Sequence, residues 1–219
     1  MNELDTRFCR NIVHVYRRQM NLLAKLDNRE WSFDLDSASL RIGGSEKWVV
    51  QVLGMETTDG SWMWAWADDA FLPAHCKTAA QQLQKIGRTN KIEAFATAKL
   101  LTSVFCCGGH TPAVAAAAQF SGVPYFVAMS GAHRLYLLVT ELEFRKELPP
   151  PTLRSLVTLL PQLFSDYSVP DHRLAIISCL RKYSMPYQDS KRGLTLRDKT
   201  KTYRFTFDSQ RRLSSVENE

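Results

Sequence analysis

Two apolar runs around a short polar turn constrain the fold of this chain more than any other feature. The first run is residues 47–55, the second is residues 61–67, and Asp59-Gly60 between them is a dipeptide typical of tight turns. The second run carries three tryptophans at alternate positions: Trp62, Trp64 and Trp66. Because side chains alternate along a strand, these indoles are predicted to share one face of an antiparallel hairpin. The opposing strand offers two alternative sets of packing partners, Val50 with Val52 and Val49 with Leu53.

The same stretch resembles an uncharacterised bacterial family, a domain of unknown function. The shared pattern is an apolar strand that ends in Gly, a polar turn, and Trp-x-Trp-Ala-Trp-Ala, matched here by Val52, Leu53, Gly54, Trp62, Trp64, Ala65, Trp66 and Ala67. The family often closes this motif with Asn, where this chain has Asp68. A second likeness lies at Phe207-Asp208 and Arg212-Leu213, so the resemblance would span roughly residues 8–216. It implies the fold and brings no established activity, cofactor or partner.

Composition indicates an ordinary globular chain with a basic balance. The 219 residues are 45% hydrophobic and 23% charged, with a formal net charge of +6. This size suits one large domain or two small ones. We predict a single α+β domain over residues 1–219, and the Pro149–Pro151 run is the alternative boundary between two subdomains.

The cysteines and the apolar stretches predict a cytoplasmic location. The five cysteines are odd in number and show no CxxC spacing, which argues against a disulfide framework or a zinc finger. Residues 1–5 lack the features of a signal peptide. The longest apolar stretch, residues 112–129, is interrupted by Gln119, Gly122 and Pro124, so we do not expect it to cross a membrane.

Hydrophobic periodicity predicts strands and helices in separate groups. Helices are predicted for residues 2–27, from Pro73 to Gly87, from Ile92 to Val104, and for 111–122, 153–163 and 168–184. Strands are predicted for 31–35, 40–42, 48–55, 62–67, 125–129, 135–140, 194–196, 203–207 and 212–216. Because the groups do not alternate one by one, we predict an α+β fold in which an antiparallel meander and hairpins pack with segregated helices.

Three motifs offer candidate chemistry, and each has a structural alternative. Cys106 or Cys107 at the start of a helix could act as a nucleophile with His110 as base, or the segment is a plain turn. Asp68 and Asp69 could work as acid and base, or they cap the following turn. The tryptophan face with Asp68 could bind a ligand, or it packs in the core. The five histidines are scattered, so no metal or other cofactor is predicted.

The basic residues concentrate near the C-terminus. Residues 181–212 contain ten Lys or Arg and three Asp, with aromatic residues interleaved. The candidate nucleic-acid-binding residues are Arg181, Lys182, Lys191, Arg192, Lys201 and Arg204. Cations with exposed aromatics suit single-stranded nucleic acid, whereas aromatics that face the core would leave the cations on a solvated edge.

The sequence contains no strong catalytic motif such as a Walker A loop or GxSxG. The leading hypothesis is therefore a non-enzymatic protein-binding module, of the immunity or adaptor kind, whose partner is another protein. The first alternative is a nucleic-acid-associated protein that uses residues 181–212. The second is an enzyme with a site at Cys106 or Cys107, or at Asp68 and Asp69.

Overall fold

The computed structural model describes residues 1–68, 70–198 and 201–218, and Asp69, one of the candidate acidic residues, lies outside them. The α-helices in these ranges are α1 (Glu3–Leu26), α2 (Thr78–Asn90), α3 (Glu93–Ala96), α4 (His110–Ala117), α5 (Leu142–Arg145), α6 (Leu153–Asp166) and α7 (His172–Lys182). The strands are β1 (Trp31–Asp34), β2 (Ser39–Ile42), β3 (Glu46–Glu56), β4 (Ser61–Trp64), β5 (Lys99–Leu101), β6 (Tyr125–Ser130), β7 (His133–Val139), β8 (Gln188–Ser190), β9 (Gly193–Arg197), β10 (Thr202–Phe207) and β11 (Leu213–Asn218). This arrangement confirms the predicted α+β class.

Helix α1 follows directly from its terminal residues and its apolar stripe. The Asn2 side chain accepts a hydrogen bond from the Asp5 backbone N–H at 2.8 Å, and Asp27 ends the helix in a left-handed conformation with φ 43°. Phe8 and Ile12 on the apolar stripe are fully buried. The stripe brings α1 against both α4 and α7, so this helix holds early and late parts of the chain together.

Strand β3 is the central element of a seven-stranded antiparallel sheet. It pairs with β2 through its first residues, with β4 through residues 54–56, and with β7 through residues 50–56. Because β4 and β7 pair with the same residues, they occupy opposite edges of β3. Strand β6 then pairs with β7, which confirms the predicted second hairpin. An irregularity between Val52 and Gly54 shifts the register within β3.

The tryptophan hairpin differs from its prediction at two points. Strand β4 ends at Trp64, and Ala65–Ala67 forms a 3₁₀ turn, so Trp66 does not share a strand face with the other two indoles. The rings of Trp62 and Trp64 pack edge to face with centroids 5.1 Å apart, and both rings are fully buried. Across the ladder, Trp64 pairs with Gly54 and Trp62 pairs with Glu56.

The two faces of the sheet carry different apolar clusters. Leu53 belongs to the cluster of Trp62 and Trp64, whereas Val50 and Val52 belong to the other. Of the two alternative sets of packing partners, Val50 with Val52 is therefore wrong; in the other set, Leu53 packs with the tryptophans, whereas Val49 is exposed. The register shift in β3 places Leu53 on the tryptophan side.

Two helix predictions between β4 and α4 need correction. Helix α2 does not stop at Gly87 but runs to Asn90. Gly87 instead marks the place where the helix packs closely against Phe95, since a Cβ there would lie 2.7 Å from Cβ of Phe95. The helix predicted from Ile92 to Val104 is limited to α3. Residues 99–101 instead form β5, which pairs with β4. Pairing with an open strand edge thus overrides the local helical pattern.

The C-terminal region contributes two helices and a second antiparallel sheet of order β11-β10-β9-β8. Helix α7 begins at His172, directly after the last of the three predicted start residues, Ser168, Pro170 and Asp171, because Asp171 caps it and accepts a hydrogen bond from Leu174 N–H at 2.7 Å. Buried residues of α6, α7, β9 and β10 share the cluster that contains Trp62 and Trp64. The single-domain organisation stays a prediction. Among the helices of the described ranges, none is long and apolar enough to cross a membrane.

Candidate functional site

A basic cleft lies between helix α7 and the C-terminal sheet. It is a cavity of about 460 Å³, and the charged side chains that line it are Arg173, Arg181, Lys191, Arg192, Arg211 and Asp208. Leu174 and Ile177 of α7 and Phe207 of β10 provide a half-buried apolar wall. The cleft therefore combines a strongly positive lining with an apolar surface.

Local structure positions these side chains. Leu174, Ile177 and Arg181 follow at helical spacing, so they project from one face of α7. The turn between β8 and β9 carries Lys191 and Arg192, and it requires Gly193, whose φ is +138°. A Cβ at Gly193 would lie 2.0 Å from the Phe205 carbonyl oxygen, so this turn approaches β10 as closely as a backbone can.

Internal contacts occupy some of the cations and leave others available. Arg173 pairs with Asp189, and its guanidinium lies 5.6 Å from the centroid of the Phe207 ring. Arg211 pairs with Asp171 at 3.0 Å. These two arginines are partly neutralised by their carboxylate partners.

The remaining cations in the cleft are Arg181, Lys191 and Arg192. Arg181 Nε donates to the Tyr187 hydroxyl at 3.1 Å. Within residues 1–68, 70–198 and 201–218, no carboxylate lies within ion-pair distance of any of the three. A guanidinium group without a carboxylate can still donate paired hydrogen bonds to an anion.

The structure brings together three of the six residues predicted to bind nucleic acid. Arg181, Lys191 and Arg192 line the cleft, whereas Lys182 lines a separate cavity beside His14. Lys201 and Arg204 do not line the cleft. Two further arginines line the cleft: Arg211, which belongs to the predicted basic segment but not to the six candidates, and Arg173, which lies outside that segment. Arg173 lies in helix α7 outside the basic segment, so the charge pattern of residues 181–212 could not have identified it.

Three of the five aromatic residues in the basic segment have little free ring face for stacking on a ligand, and the other two, Tyr183 and Tyr187, are half-buried. Tyr203 and Phe205 are buried in the core, and the Arg173 guanidinium lies over the ring of Phe207. This is the alternative in which the aromatics face inward and the cations face solvent.

The candidate ligand site at the tryptophans is mainly a packing arrangement. Trp62 and Trp64 are fully buried, and Trp66 is half-buried against the same cluster. The Asp68 carboxylate accepts backbone hydrogen bonds from residues 70, 71 and 72, at 3.1, 2.7 and 3.2 Å. Lys77 Nζ donates to the carbonyl oxygen of Asp68. These contacts favour the core and capping interpretations, and ligand binding by these residues stays a prediction.

The cysteine and histidine motif does not assemble an activated thiol. His110 Nδ1 lies 2.7 Å from the Tyr125 hydroxyl, and burial lowers the pKa of His110. Burial raises the pKa of both Cys106 and Cys107. The thiols are therefore protonated near neutral pH, where a nucleophile would need to be a thiolate. In the described part of the chain, no group of three or more His, Cys, Asp or Glu side chains could hold a metal ion.

Comparison with known proteins places the chain in a family. The sequence model of DUF6882, a family of unknown function, matches residues 9–142, and the chain belongs to this family. This confirms the predicted resemblance to a family of unknown function, over a shorter span than expected. Neither the curated proteins nor the solved structures gave a match.

The family match and the basic cleft cover different parts of the molecule. The match includes strands β1 to β7 and ends before Arg173, the first residue of the cleft. Membership of the family therefore carries no information on the cleft, whose function must be argued from its own geometry.

Proposed function

We propose that this protein is a non-enzymatic binding protein whose basic cleft takes an acidic segment of a partner protein. The observation that carries this proposal is a group of three cations, Arg181, Lys191 and Arg192, in one cavity of about 460 Å³; none of them has a carboxylate partner among the described residues. A concave, positively charged surface attracts an anionic partner and speeds its association.

The apolar wall favours a peptide over a simple anion. Leu174, Ile177 and Phe207 lie in the same cavity as the cations, so an occupant gains from burying apolar groups as well as from ion pairs. A segment in which Asp or Glu alternates with apolar residues offers both kinds of group. An immunity or adaptor role is the kind of activity that such a contact would serve.

Nucleic acid is the second candidate, supported by the ten basic residues in positions 181–212. Proteins that bind single strands combine cations with aromatic faces on which the bases stack. Tyr203 and Phe205 are buried, and Arg173 lies over Phe207, so stacking faces are scarce around the cleft. This scarcity is the reason for preferring an acidic peptide.

A cytoplasmic location is part of the proposal. All five cysteines are free, as expected for a protein that works in a reducing compartment. The bacterial origin suggested by the resemblance remains an expectation. The proposed binding needs no cofactor.

Fluorescence anisotropy tests the proposal with two labelled probes of equal charge. One is a twelve-residue peptide of alternating Glu and Leu, and the other is an oligothymidylate. We expect the peptide to bind more tightly than the oligonucleotide at moderate salt. Tighter binding of the oligonucleotide, with an affinity that falls steeply with salt, would instead support the nucleic-acid alternative.

Matched charge substitutions test whether peptide binding depends on the cations of the cleft or on the positive charge of the protein in general. The double variant Arg181→Gln with Arg192→Gln removes two charges from the cleft, and Lys182→Gln with Lys201→Gln removes two charges outside it. We expect the first to weaken peptide binding about tenfold or more, which corresponds to about 1.4 kcal/mol, and the second to change it little. Equal weakening by both variants, or no binding of the peptide, would overturn the proposal.

A further inference from the structure

A second cavity, of about 540 Å³, lies over the central sheet and shares no lining residue with the basic cleft. Strands β3 and β7 form its floor, helix α2 forms one wall, and the segment after α4 forms the other. Of its eleven lining residues, Arg145 alone lies outside residues 9–142, the span matched to the family. This volume falls in the usual range for small-molecule sites.

The sheet register explains the floor of this cavity. Gln51 and Leu138 are paired across β3 and β7, and the Thr140 N–H donates to the Val49 carbonyl oxygen at 2.9 Å. The floor residues are therefore Val49 and Gln51 on β3, with Leu138 and Thr140 on the β7 side.

Gln51 fixes helix α2 against this floor. Its side-chain oxygen accepts a hydrogen bond from the Ala79 N–H at 3.3 Å, and its amide nitrogen donates to the His75 carbonyl oxygen at 2.9 Å. The opposite wall ends at Ser121, which turns the chain with φ 60°. The cavity therefore lies between a helix that is fixed to the sheet and the segment that follows α4.

The lining of this cavity contains both apolar and polar side chains. Leu138 on the floor and the wall residues Val123 and Ala79 are buried and together form an apolar base, whereas Val49, also on the floor, remains 48% exposed. Thr78, Gln82 and Ser121 supply neutral hydrogen-bonding groups. The described lining thus has an apolar base and a polar rim.

Arg145 is the one charged residue among the described residues of this lining. Its Nε donates to the Thr140 carbonyl oxygen at 2.7 Å, which holds the start of the guanidinium group at the cavity edge. Among the residues that the structure describes, no carboxylate forms an ion pair with Arg145. Its two terminal nitrogens therefore remain free to donate in parallel to a carboxylate.

We infer that this cavity binds a small organic acid with one carboxylate and an apolar body. Arg145 receives the carboxylate, and the base formed by Leu138, Val123 and Ala79 receives the apolar part. A single guanidinium among neutral groups suits one negative charge better than a phosphate cluster, which would call for several cations. This binding is independent of the proposed peptide site.

Octanoate, octanol and octylamine are suitable probes because they share a chain and differ in the head group. Titration followed by backbone amide NMR shifts reports both the affinity and the location of binding. We expect octanoate to bind with a Kd of about 1 mM or below, to shift amides of α2, β3 and β7, and to bind about tenfold or more tightly than octanol. Octylamine should not bind, because its charge is repelled by Arg145.

Two variants identify the contacts. Arg145→Gln should reduce octanoate affinity to that of octanol, while Arg88→Gln, which removes an exposed charge from α2 away from the cavity, should leave it unchanged. Gln82→Trp, at an exposed position on the rim, should weaken the binding of octanoate and of octanol by filling the cavity. The inference would be overturned if octanoate did not bind, or if it shifted only amides outside the cavity. It would also be overturned if octanoate and octanol bound with equal affinity, or if the Arg145→Gln variant bound octanoate as tightly as the wild type.

Discussion

His14 is a buried histidine whose environment makes stability depend on pH. It is 6% exposed, its Nδ1 lies 2.6 Å from the Tyr183 hydroxyl, and its Nε2 lies 3.2 Å from the Ser121 carbonyl oxygen. Because a carbonyl only accepts, Nε2 carries the proton and Nδ1 accepts from Tyr183 in the neutral ring. Burial lowers the pKa of His14 to about 4; the Ser121 carbonyl opposes this shift, and nearby cations such as Lys182 add to it.

The lowered pKa of His14 determines how the free energy of unfolding changes with pH, in both direction and size. Between the ordinary value of 6.5 and about 4, the unfolded chain binds a proton on His14 that the folded protein does not. The free energy of unfolding contributed by the neutral ring is therefore fully present above pH 6.5 and is lost as the pH falls towards 4. At about 1.4 kcal/mol per pH unit, the loss between pH 7 and pH 5 is about 2 kcal/mol.

Urea unfolding at pH 7 and pH 5, followed by far-UV circular dichroism, measures this loss. The comparison variant is His14→Gln, whose amide can donate to the Ser121 carbonyl and accept from Tyr183 but does not titrate. Carboxylates and the other histidines titrate in both proteins, so their contributions cancel in the difference. We expect the wild type to lose about 2 kcal/mol more than the variant between the two pH values. Equal losses in the two proteins would refute the reasoning.

Two further predictions concern the tryptophan hairpin, with urea unfolding as the measurement. Gly54→Ala should lower the free energy of unfolding by about 1–3 kcal/mol, because its Cβ would lie 2.5 Å from the Met63 carbonyl oxygen; an unchanged midpoint would contradict this close approach. Trp64 Nε1 donates to the Ala94 carbonyl at 2.9 Å, whereas Trp62 Nε1 has no partner among the described residues. Trp64→Phe should therefore cost about 1–2 kcal/mol more than Trp62→Phe, and equal costs would argue against this difference.

The helix ends, turns and strands that could be predicted from the sequence are those determined by neighbouring residues. Asn2 and Asp27 mark the two ends of α1 because caps act within one turn of the helix. The turn at Asp59-Gly60 was predictable for the same reason, since Gly60 adopts φ +76°. The period-2 pattern of the C-terminal strands likewise identified β9 and β10.

Sequence reasoning failed where remote contacts decide the outcome. A Gly inside a helical pattern indicates either a helix end or a close approach, and only the position of Phe95 shows that Gly87 is the latter. Strand β5 forms because β4 offers it an edge, which no local pattern at residues 99–101 reveals. The basic cleft was predicted only in part, for a similar reason. Its charge was visible in the sequence, but Arg173 and the turn at Lys191 meet only in the folded molecule.

The pairing of β3 has a consequence for the order in which the molecule can form during synthesis. One edge of β3 pairs with β2 and β4, which are close to it in the sequence. Its other edge pairs with β7, which is synthesised much later, as the pairing of Val50 with Val139 illustrates. Until translation passes that point, an apolar strand edge has no partner and can pair with a neighbouring nascent chain. Closing such a long loop also slows folding. A chain that ended before His133 would keep this edge open and would be expected to aggregate.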